Sequence, residues 1–251
     1  MNSNVLVIFL TILFIVCFCI VIYFVLKNTN NFRTDSKSKS SANSSSNYNR
    51  KRVDNILRQK ATQIRGTPTT PIYIIDNFLD AKLCDIVIST CRDNLIASPL
   101  TRYDDDDPDF RTSKTCYFEG TKYQQKVEDQ IINTLEDKNY NCESSQLQYY
   151  NIGNEFKAHH DYFHPGLDSS FLKNGQRTWT FMIYLNDVKN GGTTKFPELN
   201  EVIHPKKGRA VIWCNLTNEA DLDSKTLHQG SPVEEGEKWI ITKWFLDKLK
   251  N

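Results

Sequence analysis

From residue 146 to the end of the chain the apolar residues read as strands, and this constrains the fold more than any other feature. Segments 147–150, 178–185, 210–213 and 239–245 are rich in β-branched and aromatic residues and are bounded by Asn, Gly and Pro. Upstream the period is helical. Asp80 is placed to cap a helix carrying Leu83, Val87 and Cys91 along one face. Thr121 is placed to cap a second, with Val127, Ile131 and Leu135 at helical spacing. Residues 72–75 add an earlier strand. Helices first and strands afterward predict an α+β domain with a mostly antiparallel sheet. Several strands around a buried site predict a double-sheet jelly roll (a double-stranded β-helix) flanked by N-terminal helices. There is no internal repeat.

The N-terminus is of another kind. Residues 5–26 carry no charge and, apart from Thr11, almost no polar group. Such a run, at about 1.5 Å per residue, is long enough to cross a bilayer core. No small-x-small cleavage site comes after it, so it reads as an uncleaved single transmembrane helix. Residues 27–69 read as a flexible polar and basic linker, serine-rich between Ser36 and Ser46, with a short basic segment of helical character beginning at Arg50, Lys51 and Arg52 that reads as solvated rather than lipid-bound. Residues 70–251 then read as the folded domain. Lys27, Arg33, Lys37 and Lys39 flank the apolar run on its C-terminal side, and taken alone they place the downstream domain in the cytoplasm. A net charge of +1 gives the chain no strong pull on nucleic acid. Of seven cysteines none forms a CxxC pair, which argues against structural zinc. Spacing leaves one or two disulfides open without pairing them.

The chemistry concentrates at His159-His160-Asp161 and, far downstream, His228. In extended chain, residues two apart point the same way. His159 and Asp161 can therefore share a metal while His160 points elsewhere, and His228 supplies a second imidazole. Two imidazoles and one carboxylate on one face suit iron(II) and leave positions open for a co-substrate and oxygen. On these residues alone, surface histidines and a zinc site remain alternatives, although no general-base motif accompanies them. Lys238 opens the apolar run 239–245, where an ammonium is costly unless paired. A dicarboxylic co-substrate would pair it; a solvated strand-end lysine is the other reading.

The ordered motifs resemble those of the collagen-type prolyl 4-hydroxylases, within the iron(II)- and 2-oxoglutarate-dependent dioxygenases. The resemblance rests on Tyr150 through Asp161, on Arg177-Thr178-Trp179-Thr180 leading into Tyr184-Leu185-Asn186-Asp187, and on Gly191 through Pro197. Further matches are Pro205 through Ala210, Leu227-His228-Gln229-Gly230, Gly236-Glu237-Lys238-Trp239 and Thr242-Lys243-Trp244. Upstream, Phe110-Arg111-Thr112-Ser113 resembles a substrate-side segment. The resemblance implies that His159, Asp161 and His228 bind Fe(II). It implies that Lys238 takes the distal carboxylate of 2-oxoglutarate, that Tyr150 and Thr180 support the co-substrate, and that Trp244 lines the pocket. Arg111 and Ser113 would face the peptide. Phe156 and His160 depart from the family's usual aromatic residues without removing a ligand.

The implied activity is hydroxylation of prolyl residues to 4-hydroxyproline in a peptide or collagen-like protein. It consumes O2 and 2-oxoglutarate, releases succinate and carbon dioxide, and uses L-ascorbate to restore ferrous iron. Lysyl or oxygen-sensing prolyl hydroxylases are close alternatives, and a catalytically silent membrane-bound peptide-binding module is a distant one. The family resemblance favours a single-pass protein of the endoplasmic reticulum with a lumenal domain, against the basic flank. The acidic run Asp104–Asp107 and Asp109 is a solvated loop or a lid favouring basic peptides. Asn43-Ser44-Ser45 and Asn215-Leu216-Thr217 fit the glycosylation sequon.

Overall fold

The structure, a computed structural model, describes residues 50–99, 107, 109–136, 141–164 and 172–247. The apolar run 5–26, linker residues 27–49, the Asn43 sequon and most of the acidic run lie outside the described residues. Among the described residues no helix is long and apolar enough to cross a membrane.

Among the described residues three α-helices come early: α1 (Arg50–Lys60), α2 (Ala81–Cys91) and α3 (Lys122–Leu135). The strands are β1 (Gln63–Gly66), β2 (Pro71–Ile75), β3 (Ile96–Ala97), β4 (Lys114–Cys116), β5 (Asn141–Cys142), β6 (Gln146–Tyr150) and β7 (Phe156–His159). They continue as β8 (Gln176–Tyr184), β9 (Asn190–Gly191), β10 (Thr194–Phe196), β11 (Glu201–Ile203) and β12 (Ala210–Cys214). The last are β13 (His228–Gly230), β14 (Val233–Glu235) and β15 (Lys238–Asp247). The large sheet runs β1-β2-β12-β8-β15-β6-β4-β3, with β5 also on β15; a four-stranded sheet runs β11-β10-β13-β7; β14 pairs β9. Every named strand pair is antiparallel, as the sequence pattern predicts.

Alternation along the central strands separates two cores. Trp179, Phe181 and Ile183 of β8, with Trp239, Ile241 and Phe245 of β15, join the helices in one cluster. Met182 and Tyr184 of β8, Ile240 of β15 and Val211 and Trp213 of β12 meet Phe196 and Ile203 of the small sheet in the other. The parity extends to the polar positions. Lys243 shares the helix-side parity, and its ammonium pairs with Glu128 of α3 at 2.7 Å. Lys238, Thr242 and Trp244 share the parity of Ile240 and line the space between the sheets.

Asp80 and Thr121 cap α2 and α3 as the sequence predicts: Asp80 accepts from the Lys82 and Leu83 amides, Thr121 from that of Gln124. The expected linker boundary at residue 69 is corrected. Val53 and Leu57 of α1, one turn apart, are buried in the helix-side core, and β1 pairs with β2. Lys60 donates to Thr134 O at 2.9 Å and Arg52 to Glu136 O at 2.6 Å, satisfying carbonyls at the end of α3. Buried Arg50 donates to the carbonyls of Leu216 and Thr69. Arg50 and Arg52 are thus docked while Lys51 is exposed, and the folded unit already includes helix α1. Cys91 and Cys116 form a disulfide joining the end of α2 to β4, whereas Cys84 and Cys142 are free thiols.

Candidate active site

Backbone register builds the centre. His159 on β7 is the direct cross-strand partner of His228 on β13, and their ring centroids stand 4.3 Å apart. Asp161, just past β7, brings its carboxylate to the same point. Its Oδ1 lies 3.8 Å from His159 Nε2, and its Oδ2 lies 3.7 Å from His228 Nε2. One donor atom from each residue fits within 4.8 Å of the others, and they are the one such trio among the described residues.

The local hydrogen bonds settle which ring atoms face inward. His159 Nδ1 lies 2.7 Å from Lys157 O, and His228 Nδ1 lies 2.9 Å from Thr226 O. A carbonyl only accepts, so each Nδ1 carries the proton and each Nε2 presents a lone pair. Burial pushes both imidazoles below their ordinary pKa and keeps them neutral. Burial alone would raise the Asp161 carboxyl; His228, His159, Arg177 and the Thr180 hydroxyl outweigh it and hold the group below the usual carboxylate value. Phe156 stacks on the His159 ring at 3.6 Å, so this departure from the family pattern still braces a ligand. His160 points away, as the spacing predicts, with Nε2 at 3.1 Å from Ser224 O.

Two cavities flank the trio. The first, ≈ 380 Å³, lies between the sheets and is lined by Tyr150, Met182, Thr194, Trp213, Lys238 and Ile240, among others. Lys238 is 1% exposed. Its ammonium lies over the Tyr150 ring at 4.9 Å and the Tyr184 ring at 5.6 Å. No carboxylate pairs with it among the described residues, and burial pushes its pKa down to about 7. Gly230, two residues beyond His228, keeps the space open: a Cβ there would stand 3.6 Å from Lys238 Nζ. The second cavity, ≈ 520 Å³, opens on the other flank, with Phe110, Arg111, Gln146, His160, Arg177 and Trp244 in its lining. Arg111 Nη2, Gln146 Oε1 and Trp244 Nε1 are buried there without a hydrogen-bond partner among the described residues.

The sequence expectations sort accordingly. His159, Asp161, His228, Lys238, Tyr150 and Trp244 converge. Arg111 borders the second cavity, but Ser113 is buried behind it and accepts from Arg111 Nε at 3.1 Å. Thr180, expected beside the co-substrate, donates instead to Asp161 Oδ2 at 2.6 Å. Asn215 of the second sequon is 0% exposed, so it is no glycan acceptor in the folded chain. Asp107, at the end of the acidic run, pairs with Lys157 at 2.8 Å. Thr194, Met182 and Trp213 were missed as lining residues. The parity of β8 and β12 about their apolar partners was the signal for the last two.

Residues 145–246 match the sequence profile of the 2OG-Fe(II) oxygenase superfamily. Prolyl 4-hydroxylase 2 of Arabidopsis thaliana is 32% identical over 214 residues, covering 74% of this chain and 69% of that protein. Prolyl 4-hydroxylase subunit alpha-2 of Gallus gallus is 39% identical over 107 residues, covering 43% of this chain and 20% of that protein. Among solved structures, the viral collagen prolyl hydroxylase of Paramecium Bursaria Chlorella virus-1, in complex with 2OG, superposes with a TM-score of 0.55 at 29% identity. That match covers 71% of this chain and 96% of the viral one.

Proposed function

Because this chain belongs to the prolyl 4-hydroxylase family of the 2OG-Fe(II) oxygenase superfamily, we propose that its site hydroxylates prolyl residues of peptides or collagen-like proteins to 4-hydroxyproline. One observation carries the reading: three inward-facing metal donors stand beside a buried ammonium that has no carboxylate partner among the described residues. The residues fit the cofactors. His159, Asp161 and His228 hold iron(II), and Lys238 receives the distal carboxylate of 2-oxoglutarate. With O2, these cofactors supply oxidative decarboxylation to succinate and carbon dioxide coupled to oxygen insertion at the prolyl ring, L-ascorbate restoring ferrous iron.

The chain's own groups bind, orient and exclude water. Lys157 O and Thr226 O fix the imidazole tautomers. Tyr150, the direct cross-strand partner of Lys238, sets its ring beneath the ammonium. The second cavity receives the peptide, where Arg111 Nη2 and Trp244 Nε1 offer N–H groups to carbonyl oxygens and Gln146 Oε1 accepts an N–H. Arg177 stacks on Trp244 at 4.0 Å and engages both oxygens of Glu143, which holds that wall rigid. The test incubates the chain with iron(II), 2-oxoglutarate, ascorbate and proline-rich peptides. A gain of one oxygen atom per modified proline, matched by succinate release, is expected. His159→Ala, Asp161→Ala and His228→Ala should each abolish both, and full activity in any of them overturns the assignment.

The uncharged residues 5–26 support a single-pass membrane anchor. The Cys91–Cys116 disulfide supports a catalytic domain in an oxidising compartment, the endoplasmic-reticulum lumen, in spite of the basic flank.

A further inference from the structure

We propose that Asn215 and Thr180 form a hydrogen-bond relay that positions the Asp161 carboxylate for the metal, an inference resting on the iron reading of the site. Thr180 stands on the site face of β8, directly across from Trp213 of β12 and Trp244 of β15. Its hydroxyl donates to Asp161 Oδ2 at 2.6 Å. A hydroxyl has one proton, so the same oxygen can only accept from its other neighbour. That neighbour is Asn215 Nδ2, at 3.0 Å, and the donor requirement fixes the orientation of the amide. Asn215 is itself held: it comes directly after β12, and its backbone N–H donates to Thr178 O at 2.8 Å. All three side chains are buried.

The relay is one-directional, from an amide pinned at the end of one strand, through a hydroxyl on the next, to a metal donor on a loop. Asp161 needs such a hold because it lies beyond the end of β7, whereas the two histidines are ladder residues of the small sheet. Loss of the hydroxyl would free the carboxylate to rotate about its own χ angles. It would also remove the acceptor of the Asn215 Nδ2 donor, on an amide whose Oδ1 has no partner among the described residues. Asn215 is thus accounted for by a role inside the protein.

The experiment titrates Co(II), a spectroscopic stand-in for iron(II), into the full chain and reads affinity and visible absorption without turnover. Thr180→Val should weaken Co(II) binding by roughly tenfold to a hundredfold, the range for partners of metal ligands, and shift the absorption bands. Thr180→Ser should restore both. Asn215→Leu should weaken binding by less, and the double variant should bind no worse than Thr180→Val, because the two act through one chain of bonds. Unchanged affinity and spectrum in folded Thr180→Val, or additive losses in the double variant, overturn the relay. If Thr180→Val does not fold, Asn215→Leu decides: weakened binding supports the relay and unchanged binding overturns it. Absence of Co(II) binding in the unsubstituted chain, or its persistence in Asp161→Ala, would sink the iron reading instead, and the relay with it.

Discussion

An ammonium sealed between two tyrosine rings is poorly stable without an anion, and Lys238 is in that position. Lys238→Ala should raise the 2-oxoglutarate requirement about tenfold to several hundredfold, from the roughly 1.5–3 kcal/mol of a charge-assisted bond plus the burial of an unpaired carboxylate. Co(II) affinity should barely change, since Lys238 is no ligand. The measurement is 2-oxoglutarate dependence of decarboxylation, and an unaltered requirement in a folded variant contradicts the role. The pKa of about 7 in the ligand-free chain sets the sign of the pH dependence. Below it the ammonium is present and co-substrate binds well; above it the proton must be recovered on binding, so affinity should fall with rising pH, and the fall should vanish in Lys238→Met. For stability the sign is opposite. The unfolded chain keeps the proton up to the ordinary 10.5, so this lysine destabilises the fold below about 7 and progressively less as pH climbs toward 10.5. The position of Lys238 was legible from one charge opening an apolar run. The role of Thr180 was not, because strand parity gives a residue's face but not its partner, and Asp161 reaches it from a loop.

Strands and capped helices were legible because their periods and caps are local signals. The docking of helix α1 was not, since its two buried apolar residues, Val53 and Leu57, are too few to stand out in a basic segment after a serine-rich run. Its fit to α3 makes it part of the domain. Removing residues 1–45 should therefore leave the melting temperature unchanged, whereas removing residues 1–69 should lower it sharply or prevent folding. Leu57→Ala should cost about 2–5 kcal/mol, read by denaturant unfolding; a loss near zero would show α1 to be dispensable. The disulfide is likewise invisible to spacing, because five scattered cysteines permit many pairings. It closes a loop across a sequence separation of 25, which is worth roughly 3 kcal/mol in the chain-entropy account. Reduction, or Cys91→Ser with Cys116→Ser, should lower the melting temperature by several degrees, and no change would mean that the cross-link adds nothing to stability.

At the scale of the whole molecule, an anchor and a compact domain are expected to separate cleanly. The full chain should remain with membranes through alkaline carbonate, and a chain starting at residue 46 should be released; release of the full chain by carbonate overturns the anchor. The class of fold was legible because strand content and helix order are distributed over the sequence. The division of labour between sheets was not, because it depends on long-range pairing. Both histidine ligands ride on the small sheet, while the cation for the far end of the co-substrate rides on the large one. On the proposed reading, the separation between the two layers gauges diacid length. A four-carbon keto-diacid or a longer homologue is then expected to compete poorly with 2-oxoglutarate, measured as inhibition of its decarboxylation. On that reading, choice among keto-diacids depends on the apolar packing between the sheets, on residues such as Met182, Phe196 and Ile240. Thinning or thickening that layer should change which keto acid is accepted while leaving the metal donors and Lys238 in place.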